Sequence, residues 1–120
     1  MPSERETVER RQVWLCDFDQ HPDSRQNGVR PCVVVQTDHL NRVPNYTLTI
    51  VLPLSTKGAD RIPSHARIMK SATNGLSEES FVKCEQIQTV PQSHLIRRLG
   101  VLSEPEMASV EVALRRTLAL

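Results

Sequence analysis

Apolar and polar positions along this chain change rhythm several times, and each change marks a predicted element. Residues 1–11 alternate charges and, past Met1, hold a single aliphatic residue, Val8, so they read as a flexible tail ahead of a domain over residues 12–120. Val13-Trp14-Leu15-Cys16-Asp17-Phe18 forms a first strand, followed by loop chemistry at residues 19–28, where Pro22, Asp23, Ser24, Asn27 and Gly28 gather. That loop exceeds what a hairpin needs, and long loops in compact domains tend to be functional or mobile. Cys32-Val33-Val34-Val35 is the unbroken β-branched run of a strand buried on both faces. Asp38 is placed to cap a short helical turn reaching Arg42. Residues 46–54 alternate Thr47 and Thr49 with Leu48 and Ile50, a third strand that Pro53 ends or puts on an edge. Residues 66–69 and 80–85 give two more short strands, the second running on toward Val90 and stopped by Pro91, with Asn74-Gly75 as a turn between them.

The remainder reads as helical. Residues 93–99 form a short helix with Gly100 as its stop. Ser103-Glu104-Pro105-Glu106 has the form of a capping box, with Pro tolerated in the first turn. Behind it Met107, Val110, Leu114 and Leu118 recur at helical spacing and form one packing stripe, while Arg115 and Arg116 suit the negative end of the helix dipole. About five short strands and one long terminal helix predict a small barrel-like β domain with a helix packed against it.

Composition narrows the function classes. A chain of 120 residues supports one core, and a formal net charge of +1 means that any nucleic-acid site is a local basic patch. No apolar run approaches the roughly 18 residues of a membrane span, and the polar N-terminus lacks a secretory core. A cytoplasmic protein is expected. The three cysteines, Cys16, Cys32 and Cys84, are odd in number, lack CxxC spacing and lie beside apolar residues, which predicts reduced, buried thiols. His21, His39, His65 and His94 have no ligand spacing, so no metal or other cofactor is expected. Trp14 and Phe81 are read as core, although Trp14 also has the chemistry to stack on a base. Arg97, Arg98, Arg115 and Arg116 are read as solvated helix faces.

Four segments in order resemble the MazF/PemK/Kid family. They are Val13-Trp14-Leu15-Cys16-Asp17-Phe18-Asp19; the run from Ser24-Arg25-Gln26-Asn27-Gly28-Val29-Arg30-Pro31 through Cys32-Val33-Val34-Val35 to Thr37-Asp38-His39-Leu40-Asn41-Arg42; Ile50-Val51-Leu52-Pro53-Leu54-Ser55-Thr56; and Gly75-Leu76 followed by Ser80-Phe81-Val82-Lys83-Cys84-Glu85-Gln86-Ile87-Gln88-Thr89-Val90. Each is weak alone; their order and spacing carry the resemblance, which spans residues 12–120. It implies an SH3-like β-barrel with a C-terminal helix, a homodimer, selective cleavage of single-stranded RNA as a toxin, and an antitoxin as partner. The family's catalytic Arg falls on Arg30 of Gly28-Val29-Arg30-Pro31, and its hydroxyl on Ser55. Two departures stand out. The family usually reads Pro-Leu-Thr-Ser where this chain reads Pro53-Leu54-Ser55-Thr56, so either Ser55 or Thr56 is the active hydroxyl, and Ser55 is favoured by position. Arg25 stands where relatives often have Glu, putting a cation into the loop expected to cover RNA. RNA contacts are expected from Ser24, Arg25, Gln26, Asn27 and Gly28 of that loop, and from Lys83 and Gln86. Asn41 is either a helix-turn end or a further contact.

Metal-free RNA cleavage uses the substrate's own 2′-hydroxyl as nucleophile, leaving a cyclic phosphate and a free 5′-hydroxyl. The protein must accept a proton, supply one, and stabilise charge at phosphorus. Arg30 suits the last task, since a guanidinium forks onto two oxygens and stays charged, which also disqualifies it as a base. Glu85 aligns with an acidic residue proposed as the base in part of the family. Lys83, two residues earlier, is expected on the same strand face, where its ammonium would hold Glu85 ionised; the bland alternative is a surface pair worth little. Two non-enzymatic readings compete: a binder on the same fold, such as the gyrase-poisoning toxins, or an RNA-binding module that has lost catalysis. The first kind relies on a C-terminal segment with a tryptophan, whereas this chain ends Thr117-Leu118-Ala119-Leu120 and its one tryptophan is Trp14.

Overall fold

A computed structural model describes residues 7–120 as a mainly antiparallel β structure with a C-terminal helix. The elements are β1 Gln12–Asp17, β2 Val29–Val34, α1 Asp38–Asn41, β3 Leu48–Ser55, β4 His65–Ile68, β5 Ser80–Lys83, β6 Gln88–Pro91, β7 Leu95–Val101 and α2 Glu104–Leu118, with a 3-10 turn at Gln92–His94. Neighbouring strands run β4-β5-β3-β2-β1-β7, and β6 pairs with β3. The 3-10 turn leads β6 into β7, which lies against β1, so the sheet curls back toward its own start. The result is an incompletely closed barrel, in agreement with the fold class expected from the pattern.

β3 holds the architecture together. Along one edge it pairs continuously with β2, at Val34↔Val51, Val33↔Leu52 and Cys32↔Pro53. Along the other it serves two partners in turn: Leu48↔Pro91 to Val51↔Gln88 with β6, then Leu54↔Val82 and Ser55↔Phe81 with β5. Pro53 neither ends the strand nor lies at its edge, contrary to expectation. It stands where the partner changes, between Val51 and Leu54, a position at which a missing N–H costs little.

The unbroken apolar run of β2 is explained by two cores. Val33 faces one with Val13, Leu52, Leu54 and Val82, and α2 covers that face with Met107, Val110 and Ala113. Cys32 and Val34 face the other with Trp14, Phe18, Val51 and Leu95. Each fully buried Val, Leu or Phe contributes about 1.5–3 kcal/mol, so both faces are needed. Trp14 is 3% exposed and its indole N–H donates to Gln12 Oε1 at 2.8 Å, the core role expected. The three cysteines are free and buried; burial pushes the Cys84 thiol up to about 12.

Several boundaries differ from the pattern. Residues 93–99 are not a helix: beyond the 3-10 turn, β7 pairs with β1 over Gln12↔Val101 to Cys16↔Leu95. Two register shifts interrupt that ladder and break the alternation by which a strand is recognised. The tail expectation fails where it is described. Val8 is 2% exposed in the second core, and the Arg10 backbone N–H donates to Asp38 Oδ1 at 2.7 Å. Residues 1–6 of that expected tail lie outside the described residues. Thr37, one residue before Asp38, caps α1 through the His39 N–H. In α2 the capping box of Ser103 and Glu106 is present, but Ala113 takes the buried position, Leu114 is half-buried and Leu118 is 47% exposed. Among the described residues no helix is long and apolar enough to cross a membrane.

Candidate active-site groove

β2 and β3 set the centre of the site. Continued two residues past Cys32↔Pro53, their register brings Arg30 opposite Ser55, and both line a groove of about 660 Å³. Its floor is apolar: Leu15 pairs with Pro31 across β1 and β2, and Leu54 lies beside them. Residues 75–78 wall one side; there Leu76 is buried, while Ser77 and Glu78 are exposed. Gly58 lets the Phe81 ring lie against the backbone after β3, where a Cβ would come within 2.5 Å of Cγ.

Four cations line this groove, Arg30, Lys57, Lys83 and Arg97, against one carboxylate, Glu78. A protein of net charge +1 thus carries its local basic patch here. Elsewhere Arg10, Arg42 and Arg67 are tied to acidic neighbours, whereas none of the four groove cations forms an ion pair among the described residues. Arg30 is exposed, and its Nε donates to the Asn27 carbonyl at 3.3 Å, which aims the rest of the guanidinium outward. Ser55 Oγ accepts from the Lys57 N–H at 3.1 Å, leaving its hydroxyl proton to donate. Thr56 is exposed in the same groove.

The loop of residues 19–28 is closed at its base by Phe18 N–H to Gly28 carbonyl and Gly28 N–H to Asp19 carbonyl, at 2.9 and 2.8 Å. Gly28 has φ +73°, a left-handed conformation that suits glycine. Asn27 braces the loop on the His21 backbone, and Gln26 lines the groove with its N–H donated to Gln86 Oε1 at 2.8 Å. Ser24 is exposed in the same loop. Arg25 does not reach the groove lining; it forks onto Asp23, and that hydrogen bonding lowers the Asp23 pKa to about 2.

Two expectations are corrected. Of the two readings of Asn41, the helix-turn end holds and the RNA contact does not: it ends α1, it is 7% exposed, its Oδ1 accepts from Gln36 Nε2 and Thr49 Oγ1, and its Nδ2 donates to the Gln36 carbonyl and Asp38. With donors and acceptor committed, it has nothing left for a ligand. Lys83 and Glu85 do not share a strand face. β5 ends at Lys83 and the chain turns at Cys84 and Glu85, so Lys83 lines the groove and Glu85 does not. Glu85 instead accepts from Ser64 Oγ at 2.9 Å and meets His65 Nε2 at 3.1 Å. His65 Nδ1 accepts from the Ala59 N–H, which leaves Nε2 as the protonated nitrogen facing Glu85. Partial burial raises the Glu85 pKa, but hydrogen bonds from its own backbone, Ser64 and His65 outweigh it and the net shift is downward. A lowered pKa with both oxygens engaged makes a poor proton acceptor.

Reading the sequence missed Glu78, Lys57 and Arg97. The first two sit in short polar loops with no period to single them out, and Arg97 was assigned to a helix that is a strand. Among the described residues no three His, Cys, Asp or Glu side chains gather as a metal site needs.

A small curled β-sheet, one covering helix and a groove whose four cations form no ion pair among the described residues make up the architecture of the site. The chain belongs to the PemK-like, MazF-like toxin family of type II toxin-antitoxin systems, whose model matches residues 9–118. It is 35% identical over 115 residues to a protein named endoribonuclease MazF from Staphylococcus epidermidis, covering 94% of this chain and 92% of that one. Solved structures agree in fold. MazF of Deinococcus radiodurans matches with a TM-score of 0.77 at 18% identity, over 97% of this chain and 100% of its own. A mycobacterial endoribonuclease in complex with its cognate antitoxin matches with a TM-score of 0.76 at 24% identity, over 94% and 96%.

Proposed function

We propose that this chain is a cytoplasmic endoribonuclease toxin that cleaves single-stranded RNA at chosen sequences without a metal, works as a homodimer and is silenced by an antitoxin. The observation that carries the reading is the groove: the extended register of β2 and β3 sets Arg30 opposite Ser55, and the four cations that line it form no ion pair among the described residues. A family member with that groove has both the charge to hold a phosphodiester and the donors to stabilise it.

In the proposed step the RNA 2′-oxygen bonds to the adjacent phosphorus while the bond to the 5′-oxygen breaks. Arg30 forks onto the non-bridging oxygens and a hydroxyl from Ser55 or Thr56 adds a hydrogen bond to the charge that develops there. The 2′-proton passes to Glu78, the one carboxylate among the described residues that line the groove; the departing 5′-oxygen takes a proton from a water molecule, and the hydroxide left is neutralised by the proton that Glu78 gives up. Glu85 has its oxygens engaged outside the groove, so it is assigned the task of fixing the turn before Gln86, which holds the loop at Gln26. The mycobacterial relative is bound to its antitoxin, and the same class of partner is proposed here.

Incubation with a long single-stranded RNA, followed by chemical mapping of the ends, tests the reading. Cyclic phosphate and 5′-hydroxyl ends at a recurring short motif are expected, with cleavage undiminished in EDTA. Activity lost on chelation and restored by a divalent ion would sink the metal-free step. Intact RNA that is nevertheless bound would favour a non-catalytic module.

Ser55→Ala and Thr56→Ala should separate the two hydroxyls. Loss of one stabilising donor costs roughly 10²–10³-fold in rate, and Ser55 is expected to show it because its position faces Arg30. Thr56→Ala is expected to stay within a few-fold of wild type. Equal mild effects in single-turnover cleavage would mean that neither hydroxyl touches the phosphate.

A further inference from the structure

The groove has a far bank that the cleavage step does not use. Arg97 lies on β7, where the ladder sets it opposite Leu15, and Leu15 in turn pairs with Pro31 on β2. Residues paired directly across a sheet point to the same face, so Arg97 stands on the face of Leu15 and Pro31, while Arg30, beside Pro31 at the start of β2, lines the same groove from the strand's end. Its side chain lines the groove, it is exposed, and it forms no ion pair among the described residues. Its position along the sheet is set by two ladders and not by a flexible loop. β7 is two strand spacings from β2, about 10 Å at the usual separation of paired strands. An extended single strand lying across that span presents more than one backbone phosphate to the two banks of the groove.

We propose that Arg97 binds a second backbone phosphate of the RNA, one removed from the scissile linkage, so that the single strand runs across the apolar floor from β2 to β7. This rests on the reading of the groove as an RNA site and assigns it a direction. Bases crossing Leu15 and Pro31 meet an uncharged surface, while the backbone is held at Arg30 on one side and Arg97 on the other. Arg97 is thus a substrate-binding residue with no part in the bond-making step. The charge it provides holds the strand in the ground state and the transition state alike, which raises affinity without changing the rate of the bound complex.

The test uses an RNA with a 2′-deoxy substitution at the mapped cleavage site, which binds but cannot be cut, together with the cleavable parent. For Arg97→Gln, binding of the deoxy probe is expected to weaken roughly five- to tenfold at moderate salt, and the slope of log affinity against log salt to fall by about 0.7, one phosphate contact on a single strand. KM for the parent should rise in proportion while kcat stays within about twofold, the signature of uniform binding. Arg116→Gln, which removes an exposed charge from α2 outside the groove, should leave all three unchanged. Neutral methylphosphonate linkages placed one at a time in the probe should then reveal one position, away from the scissile one, where wild type loses affinity and Arg97→Gln does not. An unchanged salt slope, or a loss confined to kcat, would overturn the assignment of Arg97. Failure of the wild type to cut RNA would overturn the functional reading itself, and the two outcomes are read from different proteins.

Discussion

Arg30→Ala should lower the single-turnover cleavage rate by roughly 10²–10³-fold, the usual loss when one charge-stabilising donor is removed. The thermal midpoint should hardly move. Arg30 is exposed, forms no ion pair among the described residues, and makes one long hydrogen bond to the Asn27 carbonyl, so little of the fold leans on it. KM should change far less than kcat, because a guanidinium aimed at the developing charge matters most at the transition state. Arg30→Lys should recover only part of the rate, since an ammonium supplies charge but no fork. Cleavage by Arg30→Ala at the wild-type rate would remove this residue from the mechanism.

The largest effect on stability is expected at Gly75. Its φ is +72°, and a Cβ there would overlap the carbonyl group of Leu99 on β7. An L-residue held in the left-handed region costs about 1–2 kcal/mol before any clash. With the overlap added, Gly75→Ala should lose about 3 kcal/mol or more, a fall in Tm of roughly 10 °C for a domain of this size. Gly75, Leu76 and Leu99 all line the groove, so whatever variant remains folded should also cleave poorly. A Tm within about 2 °C of wild type would show that β7 yields at Leu99 without cost.

The sequence resolved what local rules govern. The β-branched run of β2, the capping box of α2 and the loop chemistry before Arg30 each act through near neighbours, and each appears where expected. What stayed hidden depends on partners far along the chain. Residues 93–99 look helical in isolation, and most of them join β7 because the edge of β1 is open to them. Pro53 looks like a stop and is accommodated because β3 changes partner beside it. Asn41 is open to RNA contact in the sequence and is buried in the fold because Gln36 and Thr49 satisfy it. The same holds for the site. Arg30 and Ser55 were found through resemblance, whereas Lys57, Glu78 and Arg97 join them only once three strands and a loop have met. The pairing of Lys83 with Glu85 failed because period-two geometry was carried past the end of β5.

The divided edge of β3 bears on how such a protein diversifies. The ladder with β2 runs unbroken through Cys32↔Pro53, across the gap where the opposite edge passes from β6 to β5, and its register carried two residues further sets Arg30 opposite Ser55. Lys83 belongs to that opposite edge, while Gln26 comes from a loop. Substitutions, insertions or changes of tilt there alter what the groove admits and leave the separation of the reacting pair untouched. Lineages carrying this fold are therefore free to drift in the sequence they attack while their cutting chemistry stays constant. An antitoxin seated on the variable edge would have to follow that drift, so matched pairs should diverge together at those positions and hardly at all along β2.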